Sequence, residues 1–245
     1  MYLAADPALD PVRIRGRATR DTLAAELVAL SGRVAPGDVV LLFLLAHGSG
    51  FGPNSRLSLP GPDATAADFA TWLARFTQQT LIVVNAGSAS GDFVETLSVP
   101  GRIIVTATRS ATERNETVFA EPFIRGLAGE AGDADKDGKT TLFEAFDYAR
   151  REVARTYESG HRLQTEHARL SDSVFASVVT FGAAPTAADP HVAALLVQRR
   201  ALEGQVAGLR ARKSTMAAAD YDRELERLLL EIATKTQAIR AAGGP

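Results

Sequence analysis

Cysteine is absent from the 245 residues of the chain. Its absence excludes disulfide bonds, thiolate metal sites and a thiol nucleophile, but it fits a reducing and an oxidising compartment equally well. No apolar run reaches the roughly 18 residues that a membrane-spanning helix needs. The first residues also lack the basic segment and apolar core of a secretory signal, so the localisation is left open, with export as an alternative if the N-terminus is truncated.

An excess of either charge is also missing. The chain has 27 basic and 29 acidic residues, for a formal net charge of -2. This balance gives no electrostatic reason to expect nucleic acid or an anionic membrane as a partner. With 46% hydrophobic residues, the composition predicts a globular domain plus an appendage.

Three apolar runs of strand length predict a buried sheet, at residues 39–46, 81–85 and 102–108. Amphipathic helical patterns separate them, for example the one that carries Leu23, Leu27 and Leu30. Strands that alternate with helices are typical of βαβ units. The sequence therefore predicts an α/β domain over residues 1–182, with a mainly parallel sheet flanked by helices.

The last quarter of the chain has a different composition. Residues 183–190 are predicted to be a linker, and residues 191–242 are rich in Ala, Leu, Glu, Arg and Lys, with apolar positions in 4–3 spacing. This pattern predicts an α-helical, coiled-coil-like hairpin. Such a hairpin favours assembly or self-association rather than catalysis.

His47 and Ser88 each follow the end of a predicted buried strand. If those strands are neighbours and parallel, both side chains reach the same edge of the sheet. Acyl transfer needs a nucleophile beside an imidazole and backbone N–H groups for the oxyanion. The alternative is that His47 caps a strand and the serines satisfy backbone groups in a tight turn. The G-x-S-x-G pattern of another hydrolase class is absent, because Ala89 stands midway between Gly87 and Gly91.

The two strand ends resemble the signature of the caspase and legumain superfamily of cysteine peptidases, in which one strand ends in His-Gly and another in Cys-x-Ser-Gly. Here the motifs read His47-Gly48 and Ser88-Ala89-Ser90-Gly91. Residues 100–108, 113–117 and 165–167 also resemble a bacterial set of legumain-like domains. The resemblance spans residues 12 to 175 and implies a caspase-like sandwich, with His47 at the catalytic His, Ser88 at the catalytic Cys, and Gly48, Ser90 and Gly91 completing the motif. The family's first strand and helix are missing from this N-terminus.

Serine at the cysteine position changes the expected chemistry. A thiol has a pKa of about 8.5 and pairs readily with His, whereas a serine hydroxyl needs a well-oriented base. No carboxylate near His47 in the sequence is an obvious candidate to orient it. The resemblance, with serine at this position, therefore favours a pseudopeptidase that acts as a binding or scaffolding module for a protein or a peptide. An active Ser88–His47 hydrolase of peptide or ester bonds is the alternative, and a structural or assembly protein with a vestigial pocket is the third.

Further polar residues are candidates for the rim of the same pocket. Glu113 and Arg114 follow the third predicted strand, and His167 stands in the Thr165-Glu166-His167 segment. The alternative is that these side chains are solvated or stabilise loops. The four histidines show no metal-ligand spacing.

An acidic loop matches D-x-D-x-D-G-x5-E over residues 133–144. The pattern predicts an EF-hand-like Ca2+ site, and a solvated acidic turn that caps the next helix is the alternative. Thr140 stands at position 8, where an apolar residue usually pairs with a second loop that this chain lacks, so weak affinity is expected. The predicted ligands are Asp133, Asp135, Asp137, Glu144, the carbonyl of Lys139, and Thr141 directly or through water. No organic cofactor is predicted.

Overall fold

The computed structural model of the chain describes residues 1–128, 131–136, 138–181, 190–213 and 216–242. The chain divides into two compact units. The first comprises residues 1–98, 104–118 and 163–171, and the second comprises residues 99–103, 119–162 and 172–245. The predicted linker lies outside the described residues except for Pro190, which begins a helix.

The secondary structure alternates short strands with helices. The strands are β1 (Tyr2–Ala4), β2 (Ile14–Arg17), β3 (Val39–Leu44), β4 (Gly48–Ser49), β5 (Arg56–Leu57), β6 (Ala64–Thr65), β7 (Thr80–Asn85), β8 (Arg102–Thr106), β9 (Thr140–Thr141), β10 (Arg169–Leu170) and β11 (Thr180–Phe181). The α-helices are α1 (Arg20–Ser31), α2 (Ala66–Leu73), α3 (Phe93–Leu97), α4 (Ala120–Ala128), α5 (Leu142–Ser159), α6 (Ser173–Ala176), α7 (Pro190–Ala211) and α8 (Ala218–Ala241).

The main sheet has the strand order β10-β8-β7-β3. β3 and β7 pair in parallel, and β10 runs antiparallel to β8, so the sheet is mixed. Every residue of β7 is buried, as expected for an apolar strand with neighbours on both sides. The predicted α/β class is confirmed.

The start of α2 follows from local sequence. Thr65, with Asp68 three residues on, has the spacing of a capping box, and the two form one at the start of α2, each side chain accepting the other's backbone N–H. Phe69 and Leu73 of α2 are fully buried in the core, together with Leu81 and Val83 of β7. Burial of these side chains fixes α2 against the sheet.

In the second unit, α5 buries the four residues predicted from helical spacing, Leu142, Phe146, Ala149 and Val153. The two C-terminal helices contact each other through two apolar clusters. One contains Leu202 and Val206 of α7 and Leu228 of α8, and the other joins Val192 near the start of α7 to Ile239 near the end of α8. These contacts make α7 and α8 antiparallel.

Residues 174–181 alternate weakly between apolar and polar and predict an edge strand, but this prediction is wrong. Asp172 accepts a hydrogen bond from the N–H of Phe175 and so begins the short helix α6, which leaves only β11 as strand. Residues 12–14 predict a short strand near the N-terminus, and the observed strand β2 starts at Ile14 and pairs in parallel with β1, which was not predicted. Within the described residues, no helix is both long enough and apolar enough to cross a membrane.

Candidate functional site

The predicted neighbours β3 and β7 bring His47 and Ser88 to one edge of the sheet. The strands pair in register up to Leu44 and Asn85, and the two motifs follow within three residues of those positions. The carboxyl ends of parallel strands are where α/β proteins place ligand-binding groups. The sequence-based placement of the two motifs side by side is confirmed.

The two motif segments are packed backbone to backbone, and glycine makes this possible. A Cβ atom on Gly48 would lie 2.3 Å from the carbonyl oxygen of Ser88, and one on Gly87 would lie 1.9 Å from that of Ala46. On the other side of the turn, a Cβ on Gly91 would lie 2.3 Å from the carbonyl carbon of Arg109. Any side chain at these positions would therefore force the segments apart.

Ser88 and His47 have very different surroundings. Ser88 is 3% exposed, and its Oγ accepts a hydrogen bond of 3.3 Å from the backbone N–H of Gly48. His47 is exposed, and within the described part of the chain its ring has no hydrogen-bond or ion-pair partner. The hydroxyl is therefore held by a backbone amide, while the imidazole has no carboxylate to orient it.

A second network fixes the turn that carries Ser88. The hydroxyls of Ser90 and Thr108 lie 3.1 Å apart, and Thr108 Oγ1 also accepts the N–H of Gly91 at 3.0 Å. Ala89 adopts a positive φ of 50°, and its N–H donates to the carbonyl oxygen of Glu113 at 2.7 Å. The Ser90 hydroxyl also accepts the backbone N–H of Thr108 at 3.2 Å, so it is used in buried contacts and has a structural role.

Glu113 also joins the turn to His167. Its carboxylate accepts hydrogen bonds from the backbone N–H groups of Arg109, at 2.8 Å, and His167, at 3.0 Å. Nδ1 of His167 lies 2.7 Å from Oε1 of Glu113. The structure therefore brings two of the predicted rim residues together and attaches them to the Ser88 turn through Ala89.

Arg114 follows Glu113 in the loop after β8 and reaches the neighbouring loop, which carries Phe51. Its guanidinium carbon is 5.5 Å from the centre of the exposed Phe51 ring, within reach of a cation–π contact. Asp92 connects the two loops, because its carboxylate accepts the N–H groups of Gly52, at 2.8 Å, and Ala111, at 3.1 Å. The loops around the site are thus fixed by carboxylates that accept backbone N–H groups, and Arg114 is exposed.

The roles of Asp92 and Thr108 were not predicted from the sequence. Each is separated by many residues from the groups that it bonds, so spacing gave no signal for the pairing. The one available signal was position: Asp92 directly follows the turn, and Thr108 directly follows the third apolar run. Small polar residues at strand ends commonly satisfy the backbone of neighbouring loops.

The acidic loop is a candidate metal centre. Carboxylate oxygens of Asp133, Asp135 and Glu144 lie within 4.8 Å of one another, so this triad could hold a metal ion. Gly138 has the positive φ of 82° expected at the tight turn, and its N–H donates to Oδ2 of Asp133 at 2.9 Å. The predicted ligand Asp137 lies outside the described residues.

Glu144 has a second role in this loop. It forms a capping box with Thr141 at the start of α5, and its Oε2 accepts the Thr141 N–H and hydroxyl, both at 2.8 Å. The capping function offered as the alternative to metal binding is therefore present, and the two roles use the same carboxylate. The other predicted ligands, Lys139 and Thr141, lie within the same loop.

The loop also has a partner strand. Thr140 and Thr141, at loop positions 8 and 9, form β9, which pairs antiparallel with β11 through Phe181 and Thr180. From its sequence this loop was expected to lack the support of a partner. β11 supplies backbone pairing at the position where a second loop would stand, and Thr140 is buried there.

Comparisons with known proteins leave the family open. No protein-family model matches the sequence, and no curated protein matches it. One solved structure with similarity to this chain is protein GSU0716 from Geobacter sulfurreducens, with 11% identity and a TM-score of 0.43 over 73% of this chain and 79% of that one. A similarity this distant carries no argument about function.

Proposed function

We propose that this protein is a caspase- and legumain-like pseudopeptidase, a binding or scaffolding module whose peptidase pocket has kept its shape without its chemistry. The observation that carries the proposal is the contrast between the two motif residues. Ser88 is buried and held by the N–H of Gly48, whereas His47 is exposed and has no orienting partner within the described residues. A serine nucleophile depends on an oriented base, and this pair lacks one.

The close packing around the turn supports the binding role. Gly48, Gly87 and Gly91 each leave no room for a side chain, and the Glu113 carboxylate ties the turn to His167. A turn held this firmly gives a fixed shape to the strand ends, which is where α/β proteins place ligand-binding groups. Protein or peptide is therefore the proposed ligand.

Replacement of Ser88 by cysteine tests the proposal. In Ser88→Cys we expect a peptidyl chloromethyl ketone to alkylate the thiol faster than iodoacetamide does, because a peptide pocket raises the local concentration of the probe. The His47→Ala change in the same background controls for the imidazole. If both reagents react equally fast, the site does not bind peptides and the proposal is wrong.

An active hydrolase is the second candidate, and one observation favours it. The N–H of Gly48 lies 3.3 Å from Ser88 Oγ, close to where the oxyanion of an acyl intermediate would form. In this account Ser88 would attack a peptide or ester carbonyl, with its proton passing to His47. Reactivity of wild-type Ser88 separates the two candidates.

We further propose that the acidic loop binds Ca2+. Its residues offer oxygen ligands only, as Ca2+ prefers, and Asp133, Asp135 and Glu144 already converge. The proposed role of the ion is to stabilise the loop and the start of α5.

We also propose that the two C-terminal helices serve assembly. The test is to measure the oligomeric state of the protein with and without residues 190–242.

A further inference from the structure

Strand β2 carries arginines on one face. Arg15 and Arg17 are exposed, and they alternate with Ile14 and Gly16, which are half-buried. Side chains two residues apart on a strand point to the same side, so Arg15 and Arg17 share one face of β2. Arg13 directly precedes the strand, as the last residue of a turn, and is also exposed.

Arginines from this region line a cleft of about 350 Å³. Arg13 and Arg15 line it together with Arg33, which follows the end of α1, and with Tyr2 of β1. Among the described residues, none with an acidic side chain lines the cleft. Three cations from two separate parts of the sequence therefore converge on one concave surface.

These cations lack the carboxylates that accompany most arginines in the described residues. Within that part of the chain Arg15 and Arg33 have no ion-pair partner, and Arg13 has only a contact of 3.6 Å with the exposed Asp10. By contrast, Arg20, a few residues after β2, holds Asp68 at 2.6 Å. Like charges that converge without compensation repel one another, and a bound anion would relieve this repulsion.

We propose that this cleft is a binding site for a compact phosphate-bearing anion such as a pyrophosphate group. The guanidinium fork matches two phosphate oxygens at once, and three forks around one cleft suit a ligand with more than one phosphate. The Tyr2 hydroxyl offers a further donor. The site shares no residue with the Ser88 turn, so the inference goes beyond the proposed function and does not depend on it.

Size and charge favour a small anion over a nucleic acid. The cleft holds a ligand of the size of a small metabolite. Nucleic acid binding draws on a longer basic surface, and the chain as a whole has a net charge of -2.

The test is calorimetric titration of the full chain with inorganic pyrophosphate at low salt. We expect saturable binding that Arg15→Ala and Arg33→Ala each weaken by about tenfold, since each removes a charge-assisted contact. Arg15→Lys keeps the charge but loses the forked pair of guanidinium donors. Its affinity for pyrophosphate should therefore lie between those of the wild type and Arg15→Ala. Arg75→Ala is the matched control, because Arg75 is exposed, has no ion-pair partner in the described residues and does not line the cleft.

Three results would overturn the proposal. In the first, pyrophosphate fails to bind the wild-type protein. In the second, the Arg75→Ala control loses affinity as much as the cleft variants do, which reduces the effect to overall charge. In the third, a single-stranded oligonucleotide or vesicles with anionic lipid bind more tightly than pyrophosphate, through the same arginines. Unfolding curves of each variant in the absence of ligand separate lost binding from lost folding.

Discussion

The backbone N–H of Gly48 points at Oγ of Ser88 across 3.3 Å, and no side chain fits where the two segments meet. The two residues are forty positions apart in the sequence and lie side by side because β3 and β7 are parallel neighbours. This contact places the His-Gly motif directly on the Ser-x-Ser-Gly turn. The contact can be tested through the stability of the protein and the reactivity of Ser88.

Gly48→Ala should destabilise the protein. The new Cβ would lie 2.3 Å from the Ser88 carbonyl oxygen, so the turn must move. We expect a loss of about 1–3 kcal/mol in the free energy of unfolding, as for other overpacked sites. Urea denaturation measures it.

Gly204→Ala is the control for that substitution. Gly204 lies in α7 with open space around its Cα, so alanine should stabilise the helix by roughly 0.5–1 kcal/mol. Equal stability of Gly48→Ala and wild type would contradict the close approach of the two motifs.

The ion pair between Arg20 and Asp68 should make stability depend on pH. The hydrogen bond from Arg20 lowers the pKa of Asp68 from 3.8 to about 2. Because the folded-state pKa is the lower one, the stabilisation is present above pH 3.8 and is lost as the pH falls towards 2. Asp68→Asn should therefore cost about 1 kcal/mol at neutral pH, after allowance for solvent screening, and much less near pH 2.

Urea denaturation of wild type and Asp68→Asn across that pH range measures the difference. Glu121→Gln serves as the control, because it removes an exposed pair with Arg125 and should change stability by less than about 0.5 kcal/mol. A gap between wild type and Asp68→Asn that does not narrow on acidification would contradict the assigned cause.

Calcium should raise the melting temperature of the wild-type protein. A ligand at 100 times its Kd stabilises the folded state by about 2.7 kcal/mol. Glu144→Gln should remove most of this rise, because it takes away the bidentate carboxylate while an amide can still form the capping box with Thr141. Thermal unfolding with calcium and with chelator measures both, and Asp222→Asn, on the exposed face of α8, should respond like wild type.

Arg240→Ala should strengthen calcium binding. Arg240 of α8 lies 2.9 Å from Oδ2 of Asp135 and so competes with an ion for that carboxylate. Both side chains are about half exposed, so the ion pair is worth at most about 1 kcal/mol, and the gain in affinity should not exceed about fivefold. Calcium titration of Arg240→Ala and of the control Arg223→Ala, whose partner is Asp220, measures the effect. Identical affinities would show that Arg240 and the ion do not share Asp135.

Local patterns in the sequence predicted more of the fold than of the site. The apolar runs located β3, β7 and β8, and the Thr65–Asp68 pattern located the start of α2, because these features depend on residues close together in the chain. Residues 174–181 were mispredicted because the Asp172 cap overrides a β-branched run.

The contacts around the candidate site could not be read from spacing. Glu113 and His167 are 54 residues apart, and only the antiparallel pairing of β10 with β8 brings them together. The support of Thr140 by β11 depends in the same way on a pairing across the unit. Local patterns identified the candidate residues, whereas the pairing of distant strands determines which of them are in contact.

Reactivity of wild-type Ser88 tests the central claim most directly. The purified protein is incubated with a fluorophosphonate, which forms a bond from a reactive serine Oγ to phosphorus with loss of fluoride, and the adduct is located by mass spectrometry. We predict no labelling of Ser88 above the level in His47→Ala. Labelling of Ser88 that His47→Ala abolishes would show a working serine–histidine pair and contradict the pseudopeptidase account.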